Sequence, residues 1–255
     1  MNAARVVMSS GDGAAPGVAA ARMLLPMALA LAATEAVVLV ALPGPGIAGI
    51  SAALFAFTVV AALALRAFAR GYPHARPGAC NGVTLARAAI ATALVAPLFL
   101  PGALAGRDGL AWALVALVVV GLVLDGLDGW LARRSGLASE LGARFDMEVD
   151  ALLAALLALV ALASGKAGVW VLALGFMRYG FVAAAAALPW LNAALPERRS
   201  RKTVCVVQIG VLIALLAPVV MPPVSTAIGL AAVAALVWSF AVDVRWLAAR
   251  RGTGG

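Results

Sequence analysis

Residues 109–134 read GLAWALVALVVVGLVLDGLDGWLARR. The first sixteen of these positions carry no charge, and their apolar residues run on without the alternation of a half-buried strand. At about 1.5 Å per residue the whole stretch is long enough to cross a hydrocarbon layer of about 30 Å as one helix. Asp125 and Asp128 nevertheless sit inside it, and Arg133 and Arg134 close it. An acid within a membrane helix costs about 2.5–3.5 kcal/mol on insertion scales, so both aspartates call for a reason.

The rest of the chain follows the same pattern. Of its 255 residues 65% are hydrophobic and 12% charged, and mean hydropathy is +1.07. Soluble domains are about 45–50% apolar and about 25% charged, which excludes an ordinary water-soluble globule. Eight stretches have the length and apolarity of a span: 18–42, 47–69, 82–104, 109–134, 139–164, 167–190, 203–221 and 224–248. The expected fold is an all-α, polytopic transmembrane helical bundle of about eight spans. The first stretch is longer than the apolar part of a secretory signal, so it is read as a retained helix. The formal charge of +8 is distributed between apolar runs, which points to anionic lipid rather than nucleic acid. Cys80 and Cys205 stand far apart without a CxxC or nearby histidines, which excludes a disulfide framework and a structural zinc site.

Basic residues set the expected orientation. With both termini placed in the cytoplasm, sixteen of the nineteen Lys and Arg fall on the inner side, Arg107 and Lys166 fall outside, and Arg178 is left mid-span. This expectation places the protein in the inner (cytoplasmic) membrane. The stretch 70–82, RGYPHARPGACNG, contains Pro73, Pro77 and three glycines and is read as a connector.

The intramembrane acids converge by spacing. Asp125 and Asp128 are three apart, and Gly142, Asp146 and Asp150 in LGARFDMEVD follow at intervals of four, so each set shares a helix face. Ser135-Gly136 lets the chain reverse, and Ser139 suits the N-cap of the returning helix. Two antiparallel neighbours then bring four carboxylates to one depth, where they repel unless balanced by cations. Two divalent ions balance them, and an all-oxygen donor set favours Mg²⁺ or Mn²⁺ over zinc. Paired hard ions commonly serve phosphoryl chemistry. Gly126, Gly129 and Gly142 would let a phosphorylated ligand approach the backbone, and Arg133 is placed to pair with phosphate.

Asp125, Asp128, Gly129, Ala132, Arg133, Gly142, Asp146 and Asp150 spell DxxDGxxAR, eight residues, GxxxDxxxD. Upstream, Asn81, Thr84 and Arg87 spell NxxTxxR. Together these motifs resemble those of the CDP-alcohol phosphotransferases, membrane enzymes of phospholipid synthesis, over roughly residues 78 to 250. The resemblance implies transfer of a phosphatidyl group from CDP-diacylglycerol to an alcohol, with CMP leaving. It implies metal ligation by Asp125, Asp128, Asp146 and Asp150, with Asp150 also the base for the acceptor hydroxyl. It further implies a CDP site lined by Asn81, Thr84, Gly129, Ala132, Arg133 and Gly142, and a homodimer. Residues 1–77 then form an N-terminal segment of two accessory transmembrane helices and a connector, and 78–255 the six-helix catalytic domain.

For the acceptor, Arg178 in mid-span and the basic run through Arg201 and Lys202, with Arg245 a further candidate, suit a molecule bearing its own phosphate. Glycerol 3-phosphate is the first expectation and inositol phosphate the second. Arg144 and Glu148, four apart, are expected to form a local ion pair. Glu35 is a lone acid in the first span with no motif around it. Two other readings compete. A membrane prenyltransferase also binds a diphosphate with aspartates and magnesium, but its acidic motifs lie about half a chain apart, whereas these fall within 26 residues. A non-enzymatic cation carrier calls for acids spread across the bilayer depth, and these cluster at one level.

Overall fold

The computed structural model describes residues 15–135, 137, 139–193, 195, 196 and 198–250, with the side chains of 127–135 outside that description. Among the described residues there are eight α-helices and no strand. They are α1 (Pro16–Ala41), α2 (Ile47–Gly71), α3 (Gly78–Ala93), α4 (Asp108–Ser135), α5 (Glu140–Ala163), α6 (Leu172–Ala187), α7 (Arg199–Leu216) and α8 (Val224–Arg250). Short 3₁₀ turns extend α3 at Ala96–Phe99, precede α6 at Val169–Val171 and follow it at Pro189–Asn192.

Local chemistry sets the ends. Pro97 has no N–H, and its ring would collide with the carbonyl four residues back, so α3 stops at Ala93. Pro218 pushes Ala217 into extended backbone, φ −61° and ψ 132°, and α7 stops at Leu216. Ser139 caps α5 by accepting from the Gly142 amide at 3.0 Å, as its position in the sequence implied. At its other end α7 begins four residues earlier than the apolar run, taking in the basic residues from Arg199.

The protein is a helical membrane bundle. Six helices, α1, α2, α3 with its 3₁₀ extension, α4, α6 with its preceding turn, and α8, are long and apolar enough to cross a membrane. In the two others charge fills the first turns: Asp146, Glu148 and Asp150 in α5, and Arg199, Arg201 and Lys202 in α7. Beyond those charges α5 has thirteen residues and α7 fourteen, about 20 Å of helix, which is less than a hydrocarbon layer.

The main core joins α3 to α8 and centres on α5, whose residues Leu153 to Ala158 are all buried. The pair α1–α2 packs on the outside of α3 and α5 through smaller clusters around Phe57 and Phe68. In lipid, apolar burial drives little association, so close contact of small residues holds such a bundle. A Cβ added to Gly175 of α6 would lie 2.7 Å from the Ala155 Cα of α5, and one on Gly17 of α1 would meet the Phe68 carbonyl of α2 at 2.3 Å.

Candidate active site

The site is assembled from three helices. Asp125 comes from the last third of α4 and Asp146 and Asp150 from the first three turns of α5, and one carboxylate oxygen of each lies within 4.8 Å of the others. The sequence spacing anticipated this convergence. Asp128, Gly129, Ala132 and Arg133 lie on the last turns of α4, with side chains outside the described residues.

Between the three acids stands Arg87 of α3, only 4% exposed. Its Nη1 donates to Asp146 and lies 2.7 Å from Asp125 Oδ1, and its Nη2 donates to Asp150. The three carboxylates are themselves half-buried, with Asp150 50% exposed, so one face of the cluster stays open. The sequence flagged Arg87 within NxxTxxR but assigned it no role. Its signal was a guanidinium in an apolar helix, which is costly without acidic partners.

The other residues of that motif support the site from beneath. Asn81 and Thr84 are each 3% exposed. Thr84 donates to the Cys80 carbonyl at 3.1 Å, within its own helix. Asn81 donates to the Tyr72 hydroxyl at 3.0 Å and to the Pro77 carbonyl, and a Cβ on Gly142 would meet its Oδ1 at 2.7 Å. The bareness of Gly142 thus makes room for Asn81, whereas a Cβ on Gly126 would meet nothing within 4 Å. Tyr72 donates in turn to the carbonyls of Pro77, at 3.0 Å, and Leu137, at 3.3 Å. Burial pushes its hydroxyl above the usual tyrosine range. These bonds tie the connector before α3 to the turn between α4 and α5.

The basic residues divide. Arg178 of α6 pairs with Glu148, which stands on the opposite side of α5 from Asp146 and Asp150, so Arg178 does not join the acids. This corrects the expected Arg144–Glu148 pair: Arg144 reaches back to Glu140 at 2.6 Å, because Glu148 faces α6. Arg201, with Arg198, pairs instead with Asp243 of α8, an acid that the sequence reading passed over. Lys202 is exposed on the first turn of α7, and Arg245 is exposed on the face of α8 away from Asp243. Glu35 is buried and accepts from Thr92 of α3 at 3.1 Å, far along α3 from the acids. A cavity of about 430 Å³ opens between α2, α5 and Tyr179, lined by Ala64, Phe68, Phe145 and Val149, and none of the three aspartates lines it.

Oxygens this close, all from carboxylates, fit a hard divalent cation, whose ligands surround it at about 2.0–2.6 Å. Arg87 shows that the cluster accepts positive charge at its centre. No curated protein and no solved structure shows significant similarity to the chain. A family model, CDP-alcohol phosphatidyltransferase, matches residues 78–241, which takes in every one of the converging acids and Arg87. With Arg87, Asp125, Asp146 and Asp150 gathered at one site and most of its length covered by that match, the chain belongs to the CDP-alcohol phosphatidyltransferase family.

Proposed function

We propose that the protein transfers the phosphatidyl group of CDP-diacylglycerol to a small alcohol acceptor, releasing CMP, with glycerol 3-phosphate the favoured acceptor and inositol phosphate the next. The observation that carries this reading is the convergence of Asp125, Asp146 and Asp150 around one point, with Arg87 between them.

Asp125, Asp128, Asp146 and Asp150 would hold two divalent ions, Mg²⁺ or Mn²⁺, which when bound neutralise the diphosphate and the charge developing on CMP. Asp150 takes the proton of the acceptor hydroxyl as its oxygen bonds to the lipid-side phosphorus and the bridging P–O bond breaks. Its half-exposed carboxylate on the open face of the cluster suits this role by position. Arg87 holds Asp146 and Asp150 in one orientation and supplies fixed positive charge behind them. Gly126 and Gly129, with Ala132 and Arg133, form the α4 side of the CDP site, where the open space over Gly126 favours close approach. Asn81, Thr84 and Gly142 act on that site through packing, since their polar atoms are engaged with the protein.

The same reading places the enzyme in the inner membrane with both termini and the site on the cytoplasmic side, in keeping with the sixteen cations gathered there. It also makes the enzyme a homodimer, as in the family its motifs resemble. The test is purified protein in lipid with Mg²⁺ or Mn²⁺, CDP-diacylglycerol and one acceptor at a time, with CMP measured. CMP formed with a phosphorylated acceptor is expected. Absence of CMP with every acceptor, or consumption of a prenyl diphosphate instead, contradicts the proposal. Asp150→Asn is expected to bind the CDP-lipid and turn over at least about 10²-fold more slowly.

A further inference from the structure

Arg87 stands on α3 among the buried residues Leu85, Ala88 and Ala89, and its guanidinium is enclosed with them. Its contacts with the acids all fall on Oδ1: that of Asp125 lies 2.7 Å from Nη1, and those of Asp146 and Asp150 accept from Nη1 and Nη2. The other oxygen of each carboxylate is left to a further ligand. Among the described residues no second cation is paired with these acids. A guanidinium stays protonated throughout the pH range of a folded protein, so the charge that Arg87 brings is permanent.

Charge decides how many ions such a site holds. With Asp128, on the next turn of α4, the carboxylates carry four negative charges, and Arg87 cancels one of them. One divalent ion then leaves a single negative charge. A second turns the site positive, and it is drawn to the same carboxylates that Arg87 already bonds. Like charges about 4 Å apart repel strongly where water is partly excluded. Arg87 cannot retreat, because a buried cation that leaves its acids keeps the cost of desolvation and loses its partners. The diphosphate of the donor brings two negative charges of its own and restores the balance.

We infer that Arg87 makes entry of the second divalent ion conditional on the donor: the donor-free protein holds one ion, and the second arrives with the diphosphate of CDP-diacylglycerol. Arg87 is in this a positioning residue, acting on the ions through the carboxylates they share. The inference rests on the proposed phosphatidyl transfer and deepens it by naming the order in which the site is filled. Donor and second ion then tighten each other by the same factor, as linkage requires.

Mn²⁺ is titrated into the full chain in nanodiscs with and without CDP-diacylglycerol, and bound ions are followed by electron paramagnetic resonance, in which an isolated ion and a spin-coupled pair give different spectra. The wild type is expected to bind one isolated ion without donor, and to bind the second about 10–100-fold more tightly when donor is present. Arg87→Gln removes the charge and keeps a planar donor; it is expected to show the coupled pair without donor and to lose most of that dependence. Arg87→Lys keeps the charge and is expected to restore it. If Arg87→Gln does not fold without metal, it is prepared in Mn²⁺ and the ions retained after dialysis are counted: two support the inference and one overturns it. A coupled pair in the donor-free wild type, or a donor dependence in Arg87→Gln equal to that of the wild type, also overturns it. Either result leaves phosphatidyl transfer standing, since CMP release is measured on the same preparation, whereas no CMP with any acceptor removes the reading on which the inference rests.

Discussion

Arg87 is the residue on which the acids depend. Removing one partner of a buried ion pair costs about 3–5 kcal/mol, and the lower end applies where the carboxylates remain half solvated. Arg87→Gln is therefore expected to lower the stability of the metal-free protein by about 3 kcal/mol, and added Mn²⁺ to recover more stability in the variant than in the wild type. Thermal melts in detergent with and without the ion check this, and an unchanged melting temperature contradicts it. Two glycines make opposite expectations. At Gly142 a methyl group would press on Asn81 Oδ1 at 2.7 Å, and Asn81 cannot swing away because its amide is bonded to Tyr72 and Pro77. Overpacking costs about 1–3 kcal/mol against about 1 kcal/mol gained in helix propensity, so Gly142→Ala is expected to destabilise. At Gly126 the space is open, and Gly126→Ala is expected to leave the melting temperature level or higher while raising KM for the CDP donor. A destabilised Gly126→Ala would assign that glycine to packing.

At the scale of helices, α5 organises the molecule: one face carries the acids, another carries Glu148 to Arg178, and most of its far half is buried. Its contact with α6 passes through Gly175, where an added Cβ would lie 2.7 Å from the Ala155 Cα and 2.9 Å from the Ala154 carbonyl. Backbone cannot yield as a side chain can, so Gly175→Val is expected to lower stability by at least about 2 kcal/mol, measured by melting, and a neutral result contradicts this close approach. The helices themselves were legible, because continuous apolar runs and the prolines at 97 and 218 are local signals. The convergence of Asp125, Asp146 and Asp150 was legible too, since intervals of three and four fix a face. Partnerships across helices were not. Periodicity puts Glu148 on a face without saying that α6 brings Arg178 to it, and the same gap hid the pairing of Asp243 with Arg198 and Arg201. Asp243 did leave a trace, as an acid in the apolar run of α8. The early start of α7 escaped notice because hydropathy reports where apolar residues begin, and helical backbone continues through the charged ones.

Taken whole, the molecule builds its polar site from α3 and α4, which are long and apolar enough to cross a membrane, and from α5, whose uncharged portion is not. The pair α1–α2 lies outside the family match yet contributes to that site, because the connector after α2 supplies Tyr72, which bonds Asn81 and the Leu137 carbonyl. Tyr72→Phe is expected to keep the stacking on Phe68, whose ring centre is 4.6 Å away, while reducing turnover through a loosened α4–α5 turn. Unaltered turnover would confine α1 and α2 to a role apart from catalysis. The most direct test of the account is the binding of Mn²⁺ to the purified chain, followed by electron paramagnetic resonance in the presence of CDP-diacylglycerol. About two ions per chain are expected in the wild type, with loss of tight binding in Asp125→Asn and in Asp146→Asn. No saturable binding, or binding indifferent to both substitutions, would contradict it.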